Sequence, residues 1–230
     1  TEYLVECLKS ILQLSLNPKE REIILVDDGS DISPLNELTE YLHEIIYLRQ
    51  PNQGVSVARN YGMMLAKGKF IQFVDGDDYL LQTPYEHCLD IVRYHQPDIV
   101  TFKFCKNKNV EASYELPTPM SGTEFLNNNN LHGSACSYIF RRSIVGSLQF
   151  TPGIVYGEDE EFTPQLFLRA ERIFKTETEA YYYRDNQNSV SHQLDKQKIN
   201  LRMDNSLEVL LHLQKKLDLI PIADRQALNR

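Results

Sequence analysis

The chain has 230 residues, is 42% hydrophobic and 24% charged, and carries a formal net charge of −8. That length buries a proper core in one domain with room for a small appendage, and the acidic balance excludes broad nucleic-acid binding, which needs a basic face. No apolar run is long enough to span a bilayer, no signal-peptide pattern is visible, and the four cysteines (Cys7, Cys88, Cys105, Cys136) lack CxxC spacing, which argues against a zinc site or a disulfide framework and suits a reducing, cytoplasmic setting.

Leu4, Leu8, Ile11 and Leu12 recur at helical spacing and predict a helix over Glu2–Leu14, ended by Asn17-Pro18. Ile23–Val26 reads as a strand, Pro34–His43 as a helix and Ile45–Leu48 as a second strand. Gln53-Gly54 opens a helix over Val55–Ala66, closed by Gly68. Phe70–Val74 is the next strand, Pro84–His95 a helix and Asp98–Phe104 a strand. This alternation predicts an α/β fold with a mostly parallel sheet flanked by helices. Asn107–Ser121 and the asparagine run Asn127–Asn130 read as loops. Tyr138–Phe140 reads as a strand, Glu158–Ala170 as a helix and Ile173–Tyr183 as a strand. Arg184–His192 is polar and turn-rich, and a last helix covers Lys196–Leu217. The chain opens directly on a helix, where a sheet of this type begins with a strand, so its start reads as cut and the first strand as missing.

Two segments carry the chemistry. EIILVDDGS (Glu22–Ser30) and KFIQFVDGDDYL (Lys69–Leu80) are β-branched and aromatic runs that stop at aspartates. In open α/β sheets, ligands bind outside the carboxyl ends of the strands. Asp27, Asp28, Asp75, Asp77 and Asp78 are therefore expected at one mouth. Clustered carboxylates repel, so such a cluster implies a cation. Asp75 and Asp77 are two residues apart and share a face of a continuing strand, while Gly76 permits a sharp turn. Hard oxygen ligands of this kind suit Mg²⁺ or Mn²⁺ bound with substrate phosphates. Taken alone, D-x-D is a weak signal that more commonly marks a solvated acidic turn.

VDDGS, NQGVSVARN, AKGKF and VDGDD occur in that order, and together they resemble the family 2 inverting glycosyltransferases of GT-A fold. The resemblance is strong over Leu4–Leu80 and looser to His192. It implies a nucleotide-sugar-binding half over residues 1–105, an acceptor-binding half over 106–192 and a helical segment over 193–230. It implies nucleobase recognition by Asp28, supported by Asp27, since a carboxylate accepts from a base N–H; Asp27 also reads as a plain turn former. It puts Arg59 near the diphosphate or among the acids, although Arg59 could equally be an exposed helix arginine. Asp75 is implied at the ribose or a metal-bound water, and Asp77 at the metal with Asp78 supporting it. YGEDEEF (Tyr156–Phe162) implies Asp159 as the general base of a single displacement. Arg-x-Asn-x-x-Ser-x-Ser from Arg184 resembles a segment that closes over the donor, with Arg184 on phosphate and His192 on metal or phosphate; a polar surface loop is the plainer reading.

The implied partners are a nucleoside-diphosphate sugar, UDP-linked, and a glycan or lipid-linked saccharide acceptor, at the inner face of the membrane as a peripheral protein. The sequence departs from the family at its start, where a strand ending in Pro-x-Tyr-Asn is normal. The Q-x-x-R-W signature of processive relatives is absent, which favours transfer of one sugar at a time. The rival readings are a sugar-phosphate nucleotidyltransferase and an inactive, binding-only relative.

Overall fold

The computed structural model describes residues 2–106, 114–131, 134–185 and 196–228. Helix α1 (Glu2–Leu12) leads to β1 (Ile23–Asp28), which pairs in parallel with β2 (Ile45–Gln50). Helix α2 (Val55–Leu65) follows, then β3 (Phe70–Gln72), β4 (Tyr79–Leu80), α3 (Gln82–His95) and β5 (Ile99–Cys105). The second half supplies α4 (Gly122–Asn128), β6 (Tyr138–Arg141), α5 (Glu158–Phe167), β7 (Ile173–Tyr182), α6 (Lys196–Leu217) and α7 (Ile222–Leu228).

The α/β architecture agrees with the expectation; the strand sense does not. The larger sheet has the order β3-β6-β5-β7-β4, and only β5–β7 is parallel within it. Strand–helix alternation does not record the end from which a strand enters. β6 enters from a 3₁₀ turn, Ala135–Ser137, and runs opposite to both of its neighbours.

Three local differences have plain causes. The expected helix over Pro34–His43 is two 3₁₀ turns, Pro34–Asn36 and Thr39–Tyr41. Only Pro34 and Leu38 are buried there, and the Thr39 hydroxyl bonds back to the Asn36 carbonyl at 2.9 Å, so little packing supports a longer helix. The expected loop at Asn127 instead begins inside α4, capped by Ser121, whose hydroxyl accepts from the Glu124 N–H. The Ser-x-x-Glu spacing was the available signal. β4 and α7 are too short to show a period.

Side chains alternate across the larger sheet to build two cores. Ile99, Tyr138, Phe140 and Ile173 face a cluster with Phe150, Phe162 and Phe167. Val100, Ile139 and Phe174 face the other, with Tyr85, Ile91 and Tyr181. Phe150 and Phe162 stack at 3.9 Å. On the first side the N-terminus of α4 abuts the end of α5: the Gly122 N–H donates to the Ala170 carbonyl, and a Cβ on Gly122 would lie 1.7 Å from the Phe167 carbonyl oxygen. Gly122→Ala is therefore expected to destabilise by about 3 kcal/mol, at the upper end of ordinary overpacking. Urea unfolding reads this directly, and an unchanged midpoint would mean that α4 and α5 can move apart freely.

Among the described residues, β1 pairs only with β2 and β3 only with β6. Residues of both strands line one cavity of about 670 Å³, together with Leu4, Leu8, Ile11 and Ile139. Among the described residues no strand bridges the two sheets there. The lining of the cavity is mixed: apolar side chains of α1, β1 and β3 dominate, and Asp27 and Asp28 border it at the end of β1. Its walls, β1 and β3, stay largely half-buried, whereas β5 and β7 carry many fully buried positions. No helix among the described residues is long and apolar enough to cross a membrane.

Candidate active site

β3 runs into the Asp75–Asp78 turn, closed by the Asp78 N–H donating to the Asp75 carbonyl at 3.0 Å. The end of β7 holds this turn from below. The Tyr181 hydroxyl donates to Asp78 Oδ2 at 2.9 Å and accepts from the Asp75 N–H at 3.0 Å. The Arg184 N–H donates to Asp78 Oδ1 at 2.8 Å, and its Nε to the Asp77 carbonyl at 2.7 Å. Asp78 is thus buried, with both oxygens engaged by protein donors. Burial first, then Asp75 and Asp77, push its carboxyl up to about 6 against those hydrogen bonds. The Asp75 side chain is 45% exposed. Arg184 pairs with Glu6 of α1 and stacks 4.2 Å from the Tyr3 ring centre, so in this structure it faces α1 and the acidic turn. His192 lies outside the described residues.

Asp27 and Asp28 end β1 on the smaller sheet. Asp27 is buried; its oxygens accept from the Ser30 N–H at 2.8 Å and the Tyr47 hydroxyl at 2.7 Å, with Arg49 3.6 Å away. Burial opposes ionisation, but the Tyr47 and Ser30 hydrogen bonds and Arg49 hold this carboxyl below its usual range. Asp28 accepts from the Gln50 side chain and from the Gln53 and Gly54 N–H groups at 2.7–2.9 Å, which ties β1 to the start of α2. Gly29 adopts φ +78, and a Cβ there would lie 2.5 Å from the Asn52 backbone nitrogen, so the turn requires glycine.

The third acidic group opens α5. Gly157, at φ +84, turns the chain into Glu158–Glu161, all within the first helical turn. Arg59 of α2 joins this group to the metal-type turn. Its Nη1 lies 2.5 Å from Asp159 Oδ1 and 3.1 Å from Glu158 Oε1, and its Nη2 lies 3.3 Å from Asp75 Oδ1. The side chain is 10% exposed, and its guanidinium lies beside the mutually contacting Phe73 and Phe150 rings, 5.8 and 5.4 Å from their centres. Burial alone would lower the Arg59 pKa; Asp159, Asp75 and Glu158 raise it instead. The other Asp159 oxygen accepts from the Ala135 N–H at 3.0 Å. Burial raises the Asp159 pKa against the pull of Arg59 and this N–H. Asp75 and Asp159 thus meet on one cation, while Asp27 and Asp28 are held separately by β2 and α2. Ala135, Tyr181 and Glu158 were not singled out from sequence; only Glu158 left a signal, as a neighbour of Asp159.

The donor set fits a hard divalent ion in one way. Among the described residues no group of three acids, histidines or cysteines is placed to hold a metal. An ion here would take carboxylates from Asp75 and Asp77 at most, with phosphate and water completing the shell, which is how Mg²⁺ and Mn²⁺ are commonly held.

Glu158 gives a pH prediction. Burial first, then Asp159, push its carboxyl up to about 7 from 4.5, against Arg59. A folded pKa above the unfolded value means stability that is full below about 4.5 and lost as pH rises through about 7. Glu158→Gln is therefore expected to gain melting temperature relative to wild type as pH increases across that window. A difference that stays flat from pH 4.5 to 8 would show that Glu158 ionises normally.

The sequence model described as Glycosyl transferase family 2 matches residues 1–147. The chain is 31% identical over 207 residues to the uncharacterized glycosyltransferase EpsJ of Bacillus subtilis, covering 82% of this chain and 59% of that protein. It is 26% identical over 190 residues to the poly(ribitol-phosphate) beta-N-acetylglucosaminyltransferase TarS of Staphylococcus aureus, covering 79% of this chain and 33% of that one. The crystal structure of S. aureus TarS superposes with TM-score 0.75 at 20% identity over 98% of this chain and 39% of that chain. TarS 1–349 in complex with UDP-GlcNAc superposes with TM-score 0.70 at 22% identity, covering 91% and 63% of the two chains. The fold is therefore the GT-A type expected, and the chain belongs to glycosyl transferase family 2.

Proposed function

We propose that this chain is the donor-binding and catalytic portion of a glycosyltransferase. It transfers one sugar at a time from a UDP-linked donor to a hydroxyl of a glycan or lipid-linked saccharide, with inversion. The observation that carries this reading is the Arg59 bridge, which places the carboxylates of Asp75 and Asp159 on one guanidinium. Residues 1–105 hold the donor, with Asp28 toward the base and buried Asp27 bracing the turn beside it through Ser30 and Tyr47, and residues 106–192 receive the acceptor.

Asp159 takes the proton from the acceptor hydroxyl as its oxygen attacks the anomeric carbon, and the bond from that carbon to the diphosphate oxygen breaks. The Ala135 N–H and Arg59 aim the carboxylate, and its raised pKa makes it a better proton acceptor. Asp77 and Asp75 would hold Mg²⁺ or Mn²⁺, which offsets charge on the departing diphosphate; Asp78 braces that turn through Tyr181 and Arg184. The names of the relatives, which include a minor teichoic acid biosynthesis protein and a poly(ribitol-phosphate) beta-N-acetylglucosaminyltransferase, favour a teichoic-acid-like polymer as acceptor.

The test is direct. UDP with Mn²⁺ should stabilise the protein, by about 2.7 kcal/mol at one hundred times Kd, and the protein should release UDP from UDP-N-acetylglucosamine or another UDP-hexose. Absence of a melting shift with every nucleoside diphosphate removes the donor-binding claim. Binding without UDP release selects the binding-only alternative.

A further inference from the structure

The helix α6 lies beyond the span matched by the family, yet it contacts the acidic helix α5 along several turns. Asn205 is 5% exposed, and its Oδ1 accepts from two consecutive backbone N–H groups, Val155 at 3.0 Å and Tyr156 at 3.2 Å. Those two residues immediately precede Gly157, the φ +84 residue that starts α5. One turn further along α6, buried Val209 packs 3.8 Å from where a Gly157 Cβ would be. A turn beyond that, His212 Nδ1 lies 3.0 Å from Oε1 of Glu161, a residue that is 3% exposed. Lys216 then bonds to Gln165. Positions 205, 209, 212 and 216 form one face at helical spacing and climb beside 157, 161 and 165.

A helix start is set by the backbone that enters it. The 155–157 segment has no regular secondary structure of its own, so its course depends on what accepts its N–H groups. Asn205 supplies that acceptor for two of them. Fixing the entry fixes the rotational phase of α5, and with it the direction in which Asp159 projects toward Arg59 and Ala135. We propose that Asn205 is a positioning residue for Asp159, and that α6 is the splint that holds the base in register with the donor half. The inference rests on the reading of Asp159 as the base.

Asn205→Leu keeps the volume but cannot accept. It is expected to lower kcat for UDP release, with UDP-N-acetylglucosamine as donor and water as acceptor, by about 10- to 100-fold, the scale of a small misplacement of a reacting group. KM for donor and the melting shift with UDP and Mn²⁺ should stay at wild-type values. The acid limb of the kcat–pH profile should move, because Asp159 no longer meets Arg59 and Ala135 in the same geometry; mere loss of folded protein would lower the profile without moving it. Asn205→Asp retains an accepting oxygen and should restore most of kcat. Hydrogen exchange on the unmodified protein needs no substrate: the Val155 and Tyr156 amides should be protected, and should stay so in Asn205→Asp. Free exchange of both amides in the wild type overturns the proposal, as does an Asn205→Leu protein with unchanged kcat and pH profile. If Asp159→Asn retains activity, the base assignment fails, which is a distinct result from failure at Asn205 with Asp159→Asn inactive.

Discussion

Replacing Arg59 with methionine is expected to cost about 3–5 kcal/mol of stability, the usual penalty for removing one partner of a buried ion pair. Arg59 is the cation that Asp75, Glu158 and Asp159 share, and its guanidinium is almost fully enclosed. Methionine keeps the apolar contact with Phe73 and Phe150 but leaves the three carboxylates facing one another. They would respond by taking up protons, so turnover should be lost together with stability. At about 2–4 °C per kcal/mol for a chain of this size, the melting temperature falls by roughly 10 °C. Arg59→Lys should fall between the two, since an ammonium restores charge but cannot reach two directions as a planar fork does. A methionine variant that melts with the wild type would show that the Arg59 ion pairs contribute nothing net to stability.

Asp159→Asn is expected to reduce UDP release by about 10³-fold, within the range for loss of a general base, and to leave donor affinity unchanged. The amide keeps an oxygen for the Ala135 N–H but cannot accept a proton. Its melting temperature should change less than that of Arg59→Met, because Asp75 and Glu158 keep their cation. Paired measurements of UDP release and of the UDP-induced melting shift separate chemistry from binding. Release within a few-fold of wild type would place the base elsewhere, with Glu158 the nearest alternative acid.

Much of this was readable in the chain. The runs ending at Asp28 and Asp75 are strands or strand ends because β-branched and aromatic residues stop abruptly at acids, and α6 spans its expected residues, Lys196–Leu217, although its buried positions are Asn205 and Val209 while Leu207, Leu210 and Leu211 are exposed. The segment 34–43 misled because Pro34 and a few leucines imitate a helix whose buried face is missing. The D-x-D pattern shows that acids gather; it cannot show that Asp78 turns inward to Tyr181 while Asp75 stays partly open. Of the two sequence-level alternatives for Arg59, among the acids or exposed on a helix, the structure has the first. Ala135 and Asn205 act through a backbone N–H and a single oxygen across long sequence separations, so no local pattern could mark them.

Helix α2 has a consequence for how the site moves. The Gln53 and Gly54 N–H groups at its start are held by Asp28 at the end of β1, and its Arg59 holds Asp75 and Asp159. One helix thus ties the two strand ends and the acidic start of α5 together, so a displacement of α2 is felt at Asp28, Asp75 and Asp159 at once.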